Sequence, residues 1–344
     1  MNKLASMGEG HTPVVESLSI GPRAGVRIFF KLEMCNPSGS YKDRFTAALL
    51  PDFRERGLGS CIATSSGNTG AALAAYSARY QIACSIFVNE FAPAAKLQQM
   101  QAHGARVFRV RGFITSPEVT ARVYERLRTI SDESGIPAVV SAYRYCPTGM
   151  QGVEKIANEL VEQCPGEIEH VFVPVGGGGL FTAVSRGFRA LEGRRPRVHA
   201  VQPEGCPTVV SAYVEGRHEI LPVTSTTRIS GLAVPFDIDA STALKELRCG
   251  DGTAIGVSDA EVYAAQKLMM RTEGIWAEPA GAAALAGCLR AKRQGLLGSD
   301  ELVVCLVTGH GFKDPESLAE AVGENGSTLI DESEISPQLL EARV

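Results

Sequence analysis

No CxxC pair occurs among the nine cysteines, which are scattered from Cys35 to Cys305. That spacing offers neither a zinc ligand set nor a disulfide framework, so no metal is expected and a reducing compartment fits best. Long apolar runs are missing as well: none reaches the length that crosses a bilayer. The opening MNKLASMGEGHTP lacks the apolar stretch of a signal peptide. Neither sign of charge dominates, since 34 Lys and Arg stand against 38 Asp and Glu for a formal net charge of −4. Mixed charge of this kind gives no basic face for nucleic acid and no acidic tail. These absences predict a soluble, cytoplasmic protein that works on a small molecule, with neither nucleic acid nor membrane as partner.

What is present is a chain of 344 residues, 44% of them hydrophobic, with 36 glycines and 18 prolines. That length suits two domains or one large one, and the glycines and prolines predict many tight turns. Short apolar or β-branched runs predict strands over Val26–Leu32, Cys61–Thr64, Ala83–Val88, Arg106–Val110, Ala138–Ser141, Val171–Val175, Val198–Val201 and Leu302–Val307. Amphipathic stretches predict helices over Phe45–Phe53, Thr69–Tyr80, Pro93–His103, Ser116–Ser134, Gly149–Gln163, Leu180–Leu191, Glu261–Arg271 and Pro279–Arg293. Strands alternating with helices imply an α/β fold with parallel sheets flanked by helices. Ligands in such folds sit beyond the carboxyl ends of the strands, so the strand-to-helix loops are where chemistry is expected.

Four of these loops stand out. In NPSGSYKDRF, Lys42 follows Ser38-Gly39-Ser40 and precedes a helical run, although a helix start favours anions over cations. A solvated surface charge is the ordinary reading of such a lysine, but this placement counts against a purely structural role and would suit an amine kept for imine chemistry. In SSGNTG, Ser65, Ser66, Asn68 and Thr69 open a helix. Its free amides and small polar side chains could hold a carboxylate or serve as ordinary caps. Gly176, Gly177, Gly178 and Gly179 follow the run HVFVPV and let backbone amides approach an anion closely. A dinucleotide loop fits poorly, because Phe181 and Thr182 stand where a third glycine or alanine is needed. No GK[ST] follows either, so a single phosphate is the better reading. Finally, Thr308 ends the run ELVVCLV and brings a neutral hydroxyl to the same crevice, with His310 two residues on as a weaker candidate.

An aldehyde for Lys42, a phosphate for the glycines, a polar ring substituent for Asn68 and a ring nitrogen for Thr308 together describe pyridoxal 5'-phosphate. The motifs EGHTP, KLEMCNPSGSYKDR, SSGNTG, VPVGGGGL, EPAGAAALAG and VTGHGFKDP stand in this order between about Gly8 and Pro315. In that combination the chain resembles the fold-type-II pyridoxal-phosphate enzymes, which include cysteine synthases, serine and threonine dehydratases and threonine synthases. The resemblance implies a tryptophan-synthase-β-like fold of two domains, and homodimers are common in the family. It further implies that Lys42 is the Schiff-base lysine, that Asn68 meets the cofactor's phenolic oxygen and that Gly176–Gly179 cradle its phosphate. Thr308 would face the pyridine nitrogen, and Ser65, Ser66 and Thr69 would take the substrate carboxylate. A neutral threonine does not hold that nitrogen protonated, which favours elimination and replacement over transamination.

Within the family, SYKDR and VTGHGFKDP are most similar to threonine synthase, implying γ-elimination and β-addition on an O-activated homoserine, as in the conversion of O-phosphohomoserine to threonine. The alternative is β-elimination or β-replacement on serine, threonine or an O-activated serine. One segment departs from the pattern. Many threonine synthases carry Asn-Ser…Asn-Pro…Arg before the helix at Gly149, where this chain reads SAYRYCPTG and has glycine in place of the arginine. Either Arg144 supplies a substitute cation for a substrate phosphate from a shifted position, or the leaving group is something other than phosphate. The expected division is a large cofactor-binding domain of residues 1–45 and 146–320, a small domain of 46–145, and a partly disordered tail of 321–344.

Overall fold

The computed structural model describes residues 6–335 except 66, 93, 194, 324–326 and 328. Ser66 and most of the expected tail therefore lie outside the described residues. Ten strands are present among those described: β1 (Val14–Glu16), β2 (Arg27–Lys31), β3 (Ser60–Ala63), β4 (Ala83–Asn89), β5 (Arg106–Val110), β6 (Ala138–Val139), β7 (His170–Pro174), β8 (Arg197–Pro203), β9 (Ala254–Val257) and β10 (Leu302–Leu306). They form a six-stranded sheet in the order β1-β2-β10-β7-β8-β9 and a four-stranded sheet in the order β5-β4-β3-β6. All neighbours are parallel except β1 and β2.

Burial explains the sequence of each strand. Every residue of β7 and β10 is buried, as expected for central parallel strands covered on both faces. The edge strand β5 exposes Arg106 and Arg109, charges that discourage further strand addition. The eight expected strands all form. Two short ones, β1 and β9, carry too few residues for a periodic signal. The ten-residue helix Ala240–Cys249 went unforeseen, as did the shorter helices Ile20–Ala24, Thr208–Val214 and Pro315–Val322. The last of them takes in the first two residues of the expected tail. No helix among the described residues is long and apolar enough to cross a membrane.

One boundary matters for function. The helix expected from Phe45 starts at Lys42 and runs to Glu55, so Lys42 is its first residue rather than part of the preceding loop. A buried ion network locks this helix in position. The Arg44 guanidinium donates to Glu33 at 2.7 Å and to Glu159 at 2.6 Å. Lys31, fully buried on β2, donates to Glu159 at 2.6 Å and to the Thr12 carbonyl at 2.8 Å. Burial alone would raise the Glu159 carboxyl, but the hydrogen bonds from Arg44 and Lys31 outweigh it and hold the carboxyl at about 2. Strand β2, the Lys42 helix and the helix Pro147–Gln163 thus meet through full charges. Losing one partner would leave an uncompensated buried ion, which costs about 3–5 kcal/mol.

Candidate active site

Parallel topology sends the loops after β2, β3, β7 and β10 to the same side of their sheets, and they surround one cavity of about 550 Å³. Lys42, Ser65, Asn68, Thr69, Gly176–Gly179 and Thr308 all line it. These residues are widely separated in sequence and come together only in the fold. Arg144 is not brought to the cavity: its side chain is exposed, and its backbone N–H donates to Asp239 Oδ1 at 3.3 Å. His310 is not a lining residue either; its ring stacks on Phe312 with centroids 4.3 Å apart.

Lys42 Nζ donates to Ser141 Oγ at 2.6 Å and lies 4.6 Å from the centre of the Tyr41 ring. Thr308 is held against the same loop, where the Tyr41 N–H donates to the Thr308 carbonyl at 3.1 Å. At the second residue of the Lys42 helix, the Asp43 carboxylate accepts from the Ser38 backbone at 2.5 Å and from the Ser38 hydroxyl. Burial pushes that carboxyl up to about 6 against these hydrogen bonds.

At the SSGNTG loop the helix Asn68–Tyr80 starts with Gly67 as its N-cap, so no cap side chain occupies the first-turn amides. Tight packing explains the second glycine: a methyl on Gly70 would sit 2.3 Å from the Ser65 carbonyl oxygen. The four-glycine loop has a comparable requirement. Gly178 has φ +96°, and a methyl there would lie 2.6 Å from the Asp239 carbonyl oxygen. A Gly176 methyl would come within 3.0 Å of the Gly231 carbonyl oxygen. The result is a backbone cradle at the N-terminus of the helix Gly179–Ala190, an arrangement suited to one phosphate. Glycine cradle, lysine amine, asparagine amide and buried neutral hydroxyl are the donor set that pyridoxal 5'-phosphate needs.

Several lining residues were not anticipated. Lys96 reaches the cavity from the helix Ala94–Ala102 with its side chain only 6% exposed, donating to Ser230 Oγ at 2.9 Å. Its place beside the core positions Leu97 and Met100 was the available signal. Ser141 and Glu278 also line the cavity, and the Glu278 motif EPAG gave no role for its acid. The irregular segment 227–238 supplies a further wall and carries no periodic pattern that could have announced it.

Comparison with known proteins agrees with this geometry. The family described as "Pyridoxal-phosphate dependent enzyme" matches residues 5–309. Threonine synthase of Methanocaldococcus jannaschii is 31% identical over 332 residues, covering 94% of this chain and 80% of that protein. Threonine synthase of Methanosarcina acetivorans is 32% identical, covering 94% and 79%. Among solved structures, maize serine racemase superposes with a TM-score of 0.76 at 26% identity, covering 91% of this chain and 93% of that one. The processed threonine deaminase isoform 2 of Solanum lycopersicum gives 0.77 at 21% identity, covering 90% and 82%, a likeness of fold. The chain belongs to the family of pyridoxal-phosphate-dependent enzymes and has the fold-type-II architecture of a lyase.

Proposed function

We propose that this enzyme is a lyase of the threonine-synthase type, which eliminates the γ-substituent of an O-activated homoserine such as O-phosphohomoserine and adds water at Cβ. The observation that carries the chemistry is the convergence of Lys42, Asn68, Gly176–Gly179 and Thr308 on one cavity. The identity to threonine synthases over most of the chain supports the choice of substrate. Gly176–Gly179 bind the cofactor phosphate, Asn68 its phenolic oxygen and Thr308 its ring nitrogen. The bound cofactor supplies an electron sink conjugated to the amino acid's Cα.

Lys42 Nζ takes and returns protons at the substrate's Cα and Cβ, and Ser141 Oγ fixes the direction of the amine. The uncapped amides at Asn68 and Thr69, with Ser65 beside them, bind the substrate carboxylate. In this reading residues 46–145 form the small domain, and 1–45 with 146–320 the large one. The enzyme works in the cytoplasm, as a homodimer.

A second reading, β-elimination or β-replacement on serine, threonine or an O-activated serine, is favoured by one feature. Arg144 stays outside the cavity and Gly149 stands where a phosphate-binding arginine was expected. The test is a panel of O-phosphohomoserine, O-phosphoserine, O-acetylserine, serine and threonine, with products identified by mass spectrometry. Threonine formed from O-phosphohomoserine supports the first reading. Turnover of the serine derivatives alone moves the assignment to the second.

A further inference from the structure

Glu278 is the acid of the EPAG motif, and the chemistry above gives it no task. It is 2% exposed and lines the cavity. Its Oε1 accepts a hydrogen bond from Asn68 Nδ2 at 2.6 Å. Its Oε2 lies 4.0 Å from Lys96 Nζ, which offsets the buried negative charge. An ionised carboxylate only accepts hydrogen bonds, so it must face the NH₂ side of the Asn68 amide. The Asn68 carbonyl Oδ1 is thereby turned into the protein, where it is buried without a partner among the described residues. A buried unpaired carbonyl is unfavourable, and the charge-assisted bond to Glu278 is the contact that holds this orientation. The amide keeps its second N–H for an acceptor in the cavity.

Gly309 belongs to the same arrangement. The Glu278 N–H donates to the Gly309 carbonyl at 2.9 Å. A methyl on Gly309 would lie 2.3 Å from Glu278 Oε1 and 3.1 Å from Asn68 Nδ2. Any larger residue beside Thr308 would therefore part the acid from the amide.

We propose that Glu278 is a positioning residue that acts through Asn68: it fixes the amide so that N–H, and not C=O, meets the phenolic oxygen of pyridoxal phosphate. Gly309 is the small residue that lets the two touch. This rests on the reading of Asn68 as the cofactor's partner. With the carboxylate gone, the Asn68 amide is free to rotate its carbonyl toward the cavity, where two acceptor oxygens would oppose each other.

The experiment measures cofactor affinity and the visible absorption band of bound pyridoxal phosphate in the wild type, Glu278→Met, Glu278→Gln, Asn68→Ala and the double variant Asn68→Ala/Glu278→Met. Methionine keeps the volume and loses the acceptor, whereas glutamine keeps an acceptor carbonyl. Glu278→Met is expected to bind cofactor about tenfold more weakly with a displaced band, the loss of one hydrogen bond to a charged group. Glu278→Gln is expected to stay within about threefold of wild type. Residues that act through one another do not add, so Glu278→Met should cost little more once Asn68 is alanine. Unchanged affinity and spectrum in Glu278→Met overturn the proposal, as does the same tenfold loss in the Asn68→Ala background. If circular dichroism shows Glu278→Met unfolded, Gly309→Ala replaces it, keeping the acid but displacing it from Asn68. Wild-type retention and spectrum in Gly309→Ala then overturn the proposal. A wild-type protein that takes up no cofactor would instead remove the reading of Asn68 itself, and the proposal with it.

Discussion

The Lys42 amine and the Ser141 hydroxyl, 99 positions apart in sequence, are joined by a hydrogen bond of 2.6 Å. Lys42 begins the helix that follows β2 of the six-stranded sheet, and Ser141 lies just after β6 of the four-stranded one. The bond therefore crosses between the loops of the two sheets. Such a contact aims the amine into the cavity, and it depends on both sheets being folded.

Reduction with borohydride should place a pyridoxyl mass on the peptide containing Lys42. The cavity holds a second amine, Lys96, donating to Ser230 at 2.9 Å. Peptide mapping distinguishes the two, and a label on Lys96 would remove Lys42 from its proposed role.

Gly178→Val should strip the protein of cofactor. A side chain there meets the Asp239 carbonyl oxygen at 2.6 Å and must adopt φ +96°, a conformation that costs a β-branched residue about 1–3 kcal/mol. A lowered thermal midpoint is thus expected alongside the loss of the visible band after dialysis. Full cofactor occupancy in the folded variant would reduce the glycine loop to a turn.

Arg144→Ala should leave kcat/KM on phosphorylated and unphosphorylated substrates within about twofold of wild type, as for an exposed substitution away from the site. Its exposed side chain does not line the cavity, unlike Lys96. Lys96→Met, by contrast, removes the buried amine that lies 4.0 Å from Glu278 and should lower kcat/KM by at least about tenfold. Steady-state kinetics on both variants check this. A selective loss on O-phosphohomoserine in Arg144→Ala would show that the loop carries Arg144 to the substrate during turnover.

Acid should destabilise the fold through a buried histidine pair. The Thr253 N–H donates to His199 Nδ1 at 3.2 Å, His199 Nε2 is 2.8 Å from His170 Nδ1, and His170 Nε2 is 3.1 Å from Glu301 Oε2. This relay is satisfied with both rings neutral. Burial, with His170 and Arg197 adding to it, pushes His199 down to about 3 from its ordinary 6.5. Between those values the unfolded chain binds the proton and the folded chain does not. The stabilisation is thus complete above about 6.5 and is lost progressively as pH falls toward 3. Thermal midpoints should drop between pH 7 and pH 5, with a shallower slope for His199→Gln. An unchanged slope in that variant would separate the pair from the acid response.

The α/β architecture, eight of the ten described strands and the four cavity loops after β2, β3, β7 and β10 were legible in the sequence, whereas the lining residues after β4, β5 and β6, Glu278 and the segment 227–238 were not. The reason is local: parallel strands such as HVFVP and LVVCL must be apolar throughout, and glycines mark where backbone must come close. That Lys42, Asn68, Gly176–Gly179 and Thr308 would meet at one cavity was legible because they sit in strand-to-helix loops, which parallel sheets gather at one end. The sequence could not decide which cation would reach the cavity. Arg144 and Lys96 are both lysine-or-arginine positions near a candidate loop, and their difference lies in burial, exposed for one and 5% for the other. Nor could it pair Asn68 with Glu278, 210 positions away. Hydrogen bonds at such separations depend on where two sheets and their loops meet, and that was decided by tertiary packing alone.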